Sequence, residues 1–135
     1  MQTLTVGKLA RQTGVAVETL RYYERRGLLP EAERTASGYR LFRADAVRRL
    51  RFIRRAQALG FSLDEIAELL SLSDDPGKSA AEVKRLTQSK IADIDVRIRD
   101  LQRMKRGLSK LDRRCSGHGS TEECPILAAL ADNAA

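Results

Sequence analysis

Tryptophan is absent, histidine occurs once, and the 135 residues hold two cysteines and three prolines. Each scarcity removes a class of explanation. No apolar run approaches the roughly 20 residues a membrane-spanning helix requires, so the chain is not expected to cross a bilayer. Nothing near the start reads as a signal peptide, because Lys8 and Arg11 interrupt a short, half-polar opening. A soluble cytoplasmic protein is the expectation. Two Cys and one His fall short of the four ligands that ordinarily close a structural zinc site. There is no Ser, His and acid order of the hydrolase kind and no phosphate-cradling glycine loop. Cys115 and His118 could be imagined as nucleophile and base, but the residues around them form no pocket or oxyanion site. An enzyme is therefore not expected. Internal repeats and low-complexity tracts are missing too.

What is abundant is charge, 32% of residues, with a net of +7. Residues 1–60 carry 13 Lys/Arg against 5 Asp/Glu, a net of +8, while residues 61–135 come to −1. The basic excess thus belongs to the N-terminal part, as when one domain meets a polyanion and the other does not. Charge by itself fits a solubilising surface equally well.

The stretch from Ser79 to Arg113 organises the rest. It has no Gly or Pro before Gly107, and Ile91, Ile94, Ile98, Leu101, Met104, Leu108 and Leu111 recur at steps of 3 or 4, with Val83 and Leu86 before them. That spacing keeps one apolar seam along one side of a helix. Charged residues from Lys84 to Arg106 fill the other faces. Nothing else in the chain is free to cover such a seam, so a second copy is the natural partner. At about 1.5 Å per residue the helix would run about 50 Å, longer than a small domain is wide.

Before it, Thr5 can cap a helix over 6–12, Thr13-Gly14-Val15 turns tightly, and a second helix follows over 17–26. Leu20 and Tyr23 face inward there, with Glu18, Arg21, Tyr22 and Arg25 outward. Helix, glycine turn and helix is the shape of a helix-turn-helix whose second helix reads DNA. Gly27 ends that helix, residues 31–37 are polar, and Gly38 to Phe42 alternates as a short strand would. This predicts a wing able to set Arg34, Tyr39 and Arg40 on the phosphate backbone. Asp45 is read as the cap of a third helix over 46–59 with Val47, Leu50, Ile53 and Ala56 or Gln57 on one face. Ser62 with Glu65 makes a capping box opening a fourth helix over 63–72. Residues 73–78 are a breaker cluster and form a hinge.

Past the long helix, Cys115 and Cys124 bracket a polar, glycine-bearing loop, and Pro125 opens a last short helix to about Ala131. The Cys124 sulfur would lie near that helix's N-terminus, where free N–H groups favour a thiolate. Thiolates select soft ions, and two sulfurs alone suit a linear site for a monovalent d10 ion. His118, between two glycines, reads either as an exposed loop residue or as an added ligand or hydrogen-bond donor to the site. The two thiols also fit a redox-regulated disulfide.

The segments TVGKLARQTGVAVETLRYYERRGLL, SGYRLF and RFIRRAQALGFSLDEIAELL, with Cys115 and Cys124-Pro125-Ile126-Leu127, together resemble the MerR family of metal-responsive transcription regulators over nearly the whole chain. The resemblance implies a mainly α fold: a winged helix-turn-helix DNA-binding domain over 1–72, a hinge over 73–78, a dimerisation helix over 79–113 forming an antiparallel coiled coil, and a metal-binding loop with short helix over 114–135. It implies a homodimer on an over-long promoter spacer that represses, then bends and untwists the DNA for RNA polymerase when metal binds. Arg21, Tyr23, Arg34, Tyr39, Arg40 and Arg51 would contact DNA, and Cys115 and Cys124 would hold the metal, with His118 as a further candidate. Family members that sense divalent metals carry a third cysteine near the start of the long helix, and copper-type members carry serine. Here Ala80 occupies that place, with Ser79 before it. Cu(I) is therefore the expected inducer, with Ag(I) and Au(I) as mimics and Hg(II), Cd(II), Pb(II) or Zn(II) as alternatives.

Overall fold

The computed structural model describes residues 3–30, 32–38 and 40–132, and the chain divides into two compact units at Thr87 and Gln88. In chain order the elements are β1 (Thr3–Thr5), α1 (Val6–Thr13), α2 (Val17–Arg25), β2 (Glu33–Arg34), β3 (Arg40–Arg43), α3 (Asp45–Ala58), α4 (Leu63–Ser73), α5 (Ala80–Arg114), a 3₁₀ turn (Thr121–Glu123) and α6 (Pro125–Ala131). The fold is mainly α with one small sheet, as expected.

Local chemistry explains the first unit's starts and stops. The Thr5 hydroxyl accepts the Lys8 N–H at 3.2 Å and opens α1. Gly14, at φ 72°, closes it by donating its N–H to the Ala10 carbonyl at 2.8 Å. Only glycine takes that left-handed conformation without strain, and it lets the chain reverse into α2. The Ser62 and Glu65 capping box is present in both directions, with Glu65 N–H on Ser62 Oγ at 3.2 Å and Ser62 N–H on Glu65 Oε1 at 2.8 Å. Asp45 does not cap α3: the N-cap position is Ala44, and Asp45 is the first helical residue. There its carboxylate acts on the helix's positive end instead.

The sheet is antiparallel in the order β1-β3-β2, with Thr3 opposite Arg43, Thr5 opposite Leu41 and Arg34 opposite Arg40. Residues 3–5 were not expected as a strand, and they tie the chain's start to the inner edge of the wing. Beneath lies a core of Leu9, Leu20, Leu28, Leu50, Ile53 and Ile66, all buried, together with Val15, Leu29 and Phe42. Each such side chain contributes about 1.5–3 kcal/mol by leaving water. One apolar area of this unit stays open. A groove of about 490 Å³ between α3, α4 and the first turns of α5 is floored by Phe52, Leu59, Phe61 and Val83 and rimmed by Arg48, Arg51 and Arg55.

The second unit holds the rest of α5, the loop and α6. The long helix has 35 residues, one residue later at each end than expected. Its seam is uncovered in the single chain: Ile91, Ile94, Ile98, Leu101, Met104 and Leu108 are all exposed. Val96, off the seam, is exposed as well.

Candidate nucleic-acid interface and metal centre

α2 turns its two faces to different tasks. Leu20 and Tyr23 point into the core, and Arg21, Tyr22 and Arg25 lie outside. Tyr23 is 4% exposed and its hydroxyl donates to Gln57 Oε1 at 3.2 Å on α3. Its ring therefore packs inward and its polar tip is engaged within the unit, the inward placement that the helical spacing predicted. The exposed ring of α2 is Tyr22, flanked by the Arg25 and Arg26 guanidinium groups at 5.9 and 5.8 Å from its centroid.

The wing approaches α2 through charge. Glu24 Oε2 accepts the Ala32 N–H at 2.6 Å, and Arg40 Nη1 lies 2.9 Å from Glu24 Oε1. Arg34 is exposed on β2, and its Nη1 makes a long 3.5 Å contact with the Gly38 carbonyl. Arg34 and Arg40 border one hollow with Glu24, Arg25 and Ala32. Arg51 stands exposed on α3, beside Arg54 and Arg55. Tyr39, expected on the wing, lies outside the described residues.

In the second unit the two cysteines come together. Cys115 leaves α5, Cys124 is the N-cap residue of α6, and their sulfurs lie 4.0 Å apart, both half-buried and unbonded. Ser120 starts the 3₁₀ turn that brings the chain back by accepting the Glu122 N–H at 3.1 Å. The Cys124 thiol is drawn below the ordinary thiol range, first by the Leu127 N–H. Burial opposes this, and the Ile126 N–H and Cys115 add to the lowering. Metal–sulfur bonds of about 2.3 Å reach about 4.6 Å when collinear, so sulfurs at this spacing can share one soft ion. His118 is exposed, with its own N–H donating to Ser116 Oγ at 3.2 Å. Among the described residues no three His, Cys, Asp or Glu side chains are grouped to hold a metal.

The chain as a whole has relatives among known proteins. A family model described as "MerR HTH family regulatory protein" matches residues 4–73, and one described as "MerR, DNA binding" matches residues 47–111. The chain is 46% identical over 125 residues to the mercuric resistance operon regulatory protein of Bacillus cereus, covering 93% of this chain and 95% of that one. The chain belongs to the MerR family of metal-responsive transcriptional regulators. Among solved structures it is similar to the transcription regulator PbrR691 of Ralstonia metallidurans in complex with lead(II), with a TM-score of 0.85, 38% identity, and coverage of 95% of this chain and 99% of that chain. It is also similar to HiNmlR, a MerR family regulator lacking the sensor domain and bound to promoter DNA, with a TM-score of 0.58, 26% identity, and coverage of 78% and 80%. These relatives are regulators, not enzymes.

Within this MerR-family fold, two residues matter that the sequence did not single out. Glu24 joins the helix-turn-helix to the wing, as above. Arg49 joins α3 to its surroundings, with Nε donating to the Leu28 carbonyl at 2.7 Å and Nη1 to Asp74 at 3.0 Å. Both act across 8 to 25 positions of chain, and no local pattern marks them. Among the described residues no helix is long and apolar enough to cross a membrane.

Proposed function

We propose that this MerR-family chain acts in the cytoplasm as a homodimer. It occupies promoter DNA through α2, α3 and the wing, and alters transcription by RNA polymerase when Cys115 and Cys124 hold a thiophilic metal ion. The observation that carries the reading is the convergence of two thiols, nine positions apart, at 4.0 Å, one of them disposed to ionise. Arg21, Arg34, Arg40 and Arg51 supply the cationic contacts to the DNA backbone, and distortion of bases the protein does not touch supplies part of the specificity.

A divalent soft ion, Hg(II) first and Pb(II), Cd(II) or Zn(II) after it, fits better than Cu(I). The relatives point this way: one is named for mercuric resistance, and the similar solved structure holds lead(II). A divalent ion of this kind takes a further donor beyond the two sulfurs. His118 or a group of the second copy is the candidate for that donor. One specific observation favours the second reading, Cu(I) with Ag(I) and Au(I): the chain has two thiols in all, and position 80 is alanine.

The test is transcription in vitro at buffered free concentrations of Hg(II), Pb(II), Zn(II) and Cu(I), with metal per dimer counted by sulfur-to-metal absorbance. Activation is expected at the lowest free concentration for Hg(II). Cys115→Ser and Cys124→Ser are each expected to abolish it while leaving DNA affinity near that of the parent chain. Full induction in either variant overturns the proposal, and activation by Cu(I) alone moves the reading to the monovalent ion.

A further inference from the structure

Resting on the metal-sensing reading, we infer that Ser120 is a positioning residue for the thiol pair, its hydroxyl setting the spacing of Cys115 and Cys124 before any ion arrives. Residues 116–123 join the two, and all of them are exposed and none is apolar. Burial therefore does not hold this segment, and a free chain of its length would let the sulfurs drift apart. What holds it is local. Gly117 and Gly119, at φ 81° and 90°, take left-handed conformations that other residues resist. The His118 N–H donates to Ser116 Oγ at 3.2 Å, and the Glu122 N–H donates to Ser120 Oγ at 3.1 Å.

Of the two serines, Ser120 bears on Cys124 more directly. Besides its hydroxyl on Glu122, its carbonyl accepts the Glu123 N–H at 3.2 Å, so one residue engages two N–H groups of the 3₁₀ turn. The Thr121 carbonyl then accepts the Cys124 N–H at 3.2 Å, and the Cys124 carbonyl accepts the Ala128 N–H at 3.1 Å as α6 begins. Ser120, the turn, Cys124 and α6 are thus joined by consecutive hydrogen bonds. The start of the turn fixes where the Cys124 Sγ comes to rest, 4.0 Å from the Cys115 Sγ. Ser120 touches no ion itself. It removes in advance the chain entropy that two thiolates would otherwise lose on closing around one ion.

The experiment uses the full-length chain and reads the pair twice, first without metal. In glutathione buffers the two thiols pass two electrons and two protons to oxidised glutathione, which leaves as two reduced molecules while the Cys115–Cys124 bond forms. The position of that equilibrium gives the effective concentration of one thiol at the other, a measure of how closely the loop holds them. The second reading is Hg(II) affinity in competition with glutathione, followed by sulfur-to-mercury absorbance. Ser120→Ala is expected to lower both by about three- to tenfold, the worth of one such hydrogen bond. Ser120→Thr keeps the hydroxyl and should restore both. Gly119→Ala, strained at φ 90° but with the Ser120 hydroxyl in place, should lower both as well. Helix content and the mass of the dimer should not change in any of them. Parent-like values in Ser120→Ala, or a loss that Ser120→Thr does not reverse, overturn the positioning role. Lost helix content in Ser120→Ala overturns it too, since the hydroxyl would then serve the fold at large. If the parent chain takes up no Hg(II) while Ser120→Ala still shifts the metal-free equilibrium, the metal-sensing reading fails and the positioning stands. Normal Hg(II) uptake with unaltered variants removes the positioning alone.

Discussion

Apolar side chains meet opposite fates in the two units. Between Leu9 and Leu70 they gather under a small sheet and four helices, and Leu50 is 0% exposed. Between Ile91 and Leu108 they stand along one helix in water, and Leu101 is 62% exposed. The apolar share of the two stretches is similar, 30 of 62 residues against 8 of 18; what differs is whether the chain returns to cover them. The first unit finds its partners within itself, so its stability is a property of one molecule. The seam's counterpart must be another molecule, so its stability depends on concentration.

The largest effect should come from attacking the seam. Leu101→Asp places a carboxylate in the face where two copies meet and removes a leucine from each. With about 1.5–3 kcal/mol for each lost leucine and 1.4 kcal/mol for each tenfold in affinity, the dimer should weaken by about 100-fold or more. Sedimentation should then report a monomer at micromolar concentrations, with duplex affinity falling as well. The first unit's thermal transition should persist. A mass still equal to two chains would show that the seam is not the contact.

The complementary attack is on the core. Leu50→Ala leaves a hole among fully buried neighbours and should cost about 2–5 kcal/mol. Read from urea unfolding followed by circular dichroism, that loss should be the same at low and high protein concentration, and the seam variant's should not. Concentration dependence in Leu50→Ala would mean that the two units share one stability and that the contrast drawn above is wrong.

Where interactions are local, the sequence carried them. Thr5, Gly14, the Ser62 and Glu65 pair and Pro125 each announce a helix end within a few residues, and the structure uses all of them at those places. The seam was equally legible, because a spacing of 3 and 4 needs only the helix itself to become a stripe. The two cysteines could be paired from their positions at the ends of one loop. What escaped was made by contacts between distant residues. Residues 3–5 become a strand only because Phe42 and its neighbours lie alongside. Asp45 has the right side chain for a cap but sits one position inside, since the turn is already made at Ala44. Tyr23 shows both kinds of signal: periodicity placed it inward, and its burial bears that out, while the hydrogen bond to Gln57 on α3, 34 positions away, had no local mark.

The smallest of the effects argued here tests whether the first unit is as self-contained as it looks. Ser62→Ala removes the hydroxyl that accepts the Glu65 N–H, yet the reciprocal bond, from the residue 62 N–H to Glu65 Oε1, uses backbone and survives. Only half of the box is lost, so the cost should lie near 1 kcal/mol, toward the lower part of the range for cap deletions. Because α4 supplies Ile66, Leu69 and Leu70 to the buried set, that cost should appear in the unfolding of the first unit. It should leave the mass of the dimer untouched. A Ser62→Ala variant that dissociates would show that α4 is held in place by the second copy, and the division between a self-sufficient unit and a dependent one would have to be redrawn at α4.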